Sequence, residues 1–142
     1  MNHIKTILTS MPQSVCVVAV TKTFPFDVVE EAYVGGFRHI GENRVEEARE
    51  KILKAKKNGL DDIVWHMIGH VQSRKARDVA VLFDWVDSVD SIAVSRLLHK
   101  EAGLRNKKLH VFLEVNLSGE KTKYGFDLFD WEKYPDKLKY FH

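Results

Sequence analysis

The chain has 142 residues, 44% hydrophobic and 30% charged, with a formal net charge of +2, which suits one globular domain with a sizeable core. Acidic and basic residues alternate, as in EEAREKILKAKK, so there is no broad nucleic-acid footprint, and the one basic bias, SRKAR at 73–77, reads as a solvated helix start. A lone cysteine excludes an internal disulfide framework, and neither a membrane-length apolar run nor a signal peptide is present, so a cytoplasmic protein is expected.

The first element is VCVVAVT at 15–21. It is too short for a typical helix and reads as a strand covered on both faces, with Cys16 as a small core residue. Pro25 and Asp27 open a helical pattern in which Val28, Val29, Ala32 and Tyr33 recur at helical spacing, and Gly35-Gly36 ends it. FRHIG follows as a short strand. A charged helix then covers 45–57, with Glu47 and Lys51 at a favourable spacing for an ion pair. IVWHMIGHV at 63–71 is the next strand. Ser73 is placed to cap a helix that runs to about residue 82. DWVDSVD reads as a short strand, Ser91 as a second cap, and 92–101 as a helix. LHVFLEVNL at 109–117 is a further long apolar strand, with Glu114 and Asn116 of the kind that strand ends turn toward a site.

Strands thus alternate with helices through short loops, which predicts an α/β fold with a parallel sheet. An open doubly wound sheet and part of a (β/α)8 barrel both fit. A doubly wound nucleotide binder usually carries a glycine-rich turn after its first strand, whereas this turn reads TKTFPFD, which favours the barrel. The rhythm breaks at 126–142, which holds 6 of the 15 aromatic residues and Pro135. A proline inside a helix costs about 3 kcal/mol, so this tail starts a helix at Pro135 or forms two short pieces.

In a barrel, functional side chains sit at the C-terminal ends of strands. Lys22 is at such an end. Desolvation there would lower its pKa and make it a nucleophile suited to a Schiff base; alternatively it reaches out to solvent. Asn43 either caps the helix that follows it or offers its amide to a ligand. His66 and His70, four apart on a strand, lie about 13 Å from each other, too far to share a metal ion. Asp84, Asp87 and Asp90 read as loop and cap residues rather than paired catalytic acids. No nucleophile elbow or Walker loop occurs.

These motifs together resemble the YggS/PROSC family of pyridoxal phosphate homeostasis proteins. The resemblance is carried in order by AVTKTFP, GENRVEEAREKI, WHMIGHVQSRK, FDWVDSVDS and VFLEVNLSGEKTKYGF, over roughly 15–126. It implies a TIM barrel of the alanine-racemase-like fold type III, here truncated to about its first half, up to five strands. It implies pyridoxal 5'-phosphate bound as an imine on Lys22, with Asn43 close to the cofactor and His66 neighbouring the site. It further implies a homeostasis role without firm catalysis, with apoenzymes that use this cofactor as possible partners and no nucleic acid or membrane.

The family's phosphate-binding motifs, G-M-S-x-D and G-S-T-x-V-R-x-G, do not occur in these 142 residues, and the helix before the first strand is shortened. Arg44 replaces a tyrosine and Arg74 an asparagine. The expectation is therefore one cofactor-binding barrel domain over 1–142, incomplete at its C-terminal end, with 126–142 as a divergent tail. Exposed sheet edges would favour self-association. Three other readings stand: a racemase-like enzyme on the same cofactor, a truncated relic that does not bind it, and an interaction module built on the aromatic tail.

Overall fold

Short β-branched runs linked by helical crossovers are restricted to parallel pairing, and that is the observed result. The structure, a computed structural model, describes residues 2–127, with side chains from Thr6 onward. Helix α1 (Asn2–Ser10) precedes β1 (Val18–Val20), α2 (Phe26–Val34), β2 (His39–Glu42), α3 (Val45–Lys57) and β3 (Val64–Met67). A 3-10 turn (Ser73–Lys75) leads into α4 (Ala76–Leu82), followed by β4 (Trp85–Val89), α5 (Ile92–Gly103) and β5 (His110–Leu113). The five strands form one parallel sheet in the order β1-β2-β3-β4-β5. Two-residue strands β6 (Val115–Asn116) and β7 (Phe126–Asp127) pair separately. This is the truncated α/β barrel that the sequence predicts.

One face of the sheet is covered by helices. Ile40, Trp65, Met67, Val86 and Val89 pack there against Val29, Ala48, Ile52, Val79, Phe83 and Leu98. Alanines at 48 and 55 of α3 let that helix approach the sheet closely. The opposite face carries Val20, His39, His66, Trp85, Asp87, His110 and Phe112, and no further described strand lies across from it to close a barrel.

Several expectations change. The first strand is three residues long and lies at the sheet edge, so it is not covered on both faces: Val15 and Val20 are exposed. Cys16 is a free, exposed thiol rather than a core residue, because it precedes the strand. The second strand starts at His39 because Phe37 belongs to the core and its N–H closes the end of α2 on the carbonyl of Ala32, past Gly36 at φ +103°. Ser73 begins a 3-10 turn and caps nothing, whereas Ser91 accepts from the Val94 N–H as a cap should. The run at 109–117 splits at Glu114, whose N–H turns to the Val89 carbonyl. Of the aromatic tail, only Phe126 and Asp127 lie within the described residues.

Candidate functional site

The C-terminal ends of β1, β2 and β3 meet at one edge of the sheet. Val20 pairs with Gly41, and Gly41 with His66. Lys22 and Asn43 lie just past the C-terminal ends of the adjacent strands β1 and β2. His66 lies on β3, two strands from β1 and level in register with Gly41.

Lys22 is exposed, the solvent-reaching one of the two alternatives that its apolar run left open. The edge position of β1 is the reason. Its ammonium makes no ion pair or hydrogen bond among the described residues. It is therefore available to an electrophilic carbonyl without first breaking a bridge.

Directly before it lies a buried polar cluster. Lys51 Nζ donates to Glu42 Oε1 at 2.6 Å and to the Thr21 carbonyl at 2.8 Å, and the Thr21 hydroxyl donates to Glu42 Oε1 at 2.5 Å. The Glu42 side chain is 0% exposed and that of Lys51 is 8% exposed. Burying two charges is costly unless their geometry is good, so such a pair is a specific device rather than a casual one. The i,i+4 pair Glu47–Lys51 anticipated from spacing does not form, because Lys51 turns inward to Glu42.

Asn43 follows Glu42. It does not cap α3, whose cap residue is Arg44 with no side-chain capping hydrogen bond. Asn43 Oδ1 and Glu42 Oε2 are both buried without a partner. Buried acceptors are normally satisfied, so two adjacent orphans at a strand end mark a place where a donor is wanted. Gly69 helps fix Asn43: a Cβ at residue 69 would lie 2.4 Å from the Asn43 carbonyl oxygen.

Beneath this edge, on the open face, runs a chain of hydrogen bonds. Asp87 Oδ2 lies 3.0 Å from His66 Nδ1, and His66 Nε2 lies 2.9 Å from His39 Nδ1. An ionised Asp87 sets the tautomer: His66 donates from Nδ1 and accepts at Nε2 from His39. His66 also stacks on Trp85, with ring centroids 5.5 Å apart, and Trp85 stacks on His110 at 4.5 Å. Both nitrogens of His66 are thus taken by protein groups. Burial holds the His39 imidazole below its ordinary pKa, the His66 ring adds to this, and Asp87 opposes it. His70 pairs instead with Asp90 at 2.6 Å and stacks on Tyr124. Asp87 and Asp90 are therefore histidine partners, not cap residues, and Asp84 accepts from the Trp65 N–H. Asn116 is occupied in its own loop, bonding Glu120, Ser118 and Gly119, so it does not face the site. Among the described residues no group of three or more His, Cys, Asp or Glu is arranged to hold a metal ion.

Glu42 was readable beside Asn43 at the end of its strand, but the sequence reading missed its partner Lys51. A signal existed: Val45, Ala48, Ile52 and Ala55 mark the buried stripe of α3, and Lys51 falls three residues after Ala48 and four before Ala55, on the same stripe.

No family model matches the chain. It is 40% identical over 115 residues to the pyridoxal phosphate homeostasis protein of Vibrio alginolyticus, covering 80% of this chain and 49% of that protein. The protein of the same name from Escherichia coli (strain K12) is 35% identical over 117 residues, with 82% and 50% covered. That from Synechocystis sp. is 40% identical over 120 residues, with 84% and 54% covered. The chain thus spans about half the length of the curated relatives it matches. Among solved structures, PipY of Synechococcus elongatus PCC7942 with PLP bound superposes with a TM-score of 0.88 at 36% identity, covering 96% of this chain and 62% of that one. An alanine racemase from Clostridium difficile superposes with a TM-score of 0.71 at 16% identity, over 97% of this chain and 35% of that one, a likeness of fold alone.

Proposed function

We propose that this chain, a homologue of the pyridoxal phosphate homeostasis proteins over about half of their length, carries pyridoxal 5'-phosphate attached at Lys22. The observation that supports this most is the unpaired Lys22 ammonium just past the end of β1, with the buried, unpartnered oxygen of Asn43 just past the end of the adjacent strand. When bound, the cofactor supplies an aldehyde that takes a C=N bond to a primary amine, with water leaving. Lys22 provides the amine and Asn43 a hydrogen-bond acceptor, while His66, fixed by hydrogen bonds and stacked on Trp85, stands on the neighbouring strand β3.

The role is carriage rather than catalysis. His66 has both ring nitrogens engaged, so among the described residues it offers no free histidine base to the site. Apoenzymes that need the cofactor are the natural recipients. The reducing cytoplasm suits the free, exposed Cys16 thiol. Among the described residues no strand pairs with the outer edges of β1 and β5, which suits self-association.

The test is a visible absorbance spectrum of the purified chain with added pyridoxal 5'-phosphate, then borohydride reduction and peptide mapping. The expected result is a new band and a stable label on Lys22, both absent in Lys22→Ala. No band, or label scattered over surface lysines, overturns the proposal.

A further inference from the structure

Lys22 does not sit on a relaxed backbone. It is the second residue of a tight turn, closed by the Phe24 N–H on the Thr21 carbonyl at 3.1 Å. The third residue, Thr23, has φ +66°. A left-handed conformation is easy for glycine and unfavourable for a β-branched residue, which holds it only where the surroundings insist. Such turns ordinarily place glycine or asparagine at this position.

The surroundings that insist are visible, and most come from α3. The Lys51 ammonium grips the Thr21 carbonyl, the same oxygen that closes the turn. Glu42 grips the Thr21 hydroxyl and anchors Lys51. One helical turn before Lys51, Glu47 accepts from the Thr23 N–H at 3.2 Å. The backbone groups on both sides of Lys22 are therefore fixed from α3 and β2, while the Lys22 side chain itself is left free.

We infer that Glu42, Lys51 and Glu47 are positioning residues: they hold the turn at Thr23 in its strained conformation and so aim the Lys22 amine. This deepens the proposed function and rests on it for the meaning of the aim. The hold on the turn itself is a claim about this chain alone. A buried ion pair kept only for stability would leave the φ of Thr23 unexplained.

The strain gives the test its discriminating step. The double variant Glu42→Gln/Lys51→Met removes the grip without leaving a lone buried charge. Two readouts are followed: protection of the Phe24 amide against hydrogen exchange, which needs no cofactor, and borohydride-trapped pyridoxal phosphate on Lys22. Both are expected to fall about tenfold, as for loss of one strong charge-assisted hydrogen bond. Adding Thr23→Gly is expected to restore both, since glycine takes this conformation without strain. Glu47→Gln, on the protein surface, is expected to weaken Phe24 protection by a smaller factor, and it serves if the double variant fails to fold. Unchanged Phe24 protection in a folded variant, or a loss that Thr23→Gly does not repair, overturns the inference. If the parent chain traps no cofactor on Lys22 while Phe24 protection follows the expected pattern, the proposed function fails and the clamp stands.

Discussion

The two faces of the same sheet have opposite characters. Under the helices, Ile40, Val86, Val89 and Phe83 are fully buried and wholly apolar. On the open face, Val20 is 48% and Phe112 56% exposed, and between them lie histidines, a tryptophan and an aspartate joined by hydrogen bonds and stacking. The helix-covered face uses dense packing and supplies most of the stability. The open face instead carries polar groups held by hydrogen bonds and stacking, and polar groups are what can respond to a ligand or a proton.

That contrast is easiest to break by truncation. Ile40→Ala is expected to cost about 2–5 kcal/mol in urea unfolding, as for other buried aliphatic residues, whereas Val20→Ala should stay within about 0.5 kcal/mol. Equal losses at both positions would mean that the open face is covered in solution. A smaller effect is expected at the site between the faces. Gly69→Ala presses a methyl group onto the Asn43 backbone and should cost about 1–3 kcal/mol, as overpacking does. It should also displace Asn43 and reduce labelling of Lys22, read in the same borohydride experiment.

The smallest expected effect is on pH. The folded His39 imidazole lies below its ordinary value of 6.5, so the unfolded chain binds the proton more readily. Stability contributed by neutral His39 is present above about pH 6.5 and is lost as pH falls through the folded value. Replacing His39 with Gln should flatten stability over that window, measured by denaturation at a series of pH values. A slope unchanged by the substitution would remove His39 as its source.

Much of the fold was legible from the residues alone. The helix at 45–57 is as the charge pattern and its Asn-Gly stop indicated, and Ser91 caps as its type and place require. Lys22 and Asn43 were readable as strand-end residues, and each follows the end of one of two adjacent strands. What misled was the apolar run at 15–21. β-branched content reports how well a residue fits a pleated strand, not whether a second layer covers it. Val15 and Cys16 are exposed because no described element packs over that edge.

Sequence by itself determined the alternation of strands and helices, because hydrophobic period, caps and turn residues act over a few neighbours. It also determined the identity of the amine at 22, since chemistry resides in residue type. Only tertiary structure decided which partner each polar group takes. Lys51 chooses Glu42, nine positions away, over Glu47 on its own helix, and Asp87 and Asp90 take histidines from a neighbouring strand and the loop beyond it. Those choices depend on burial and on distances across the sheet, which no local pattern encodes.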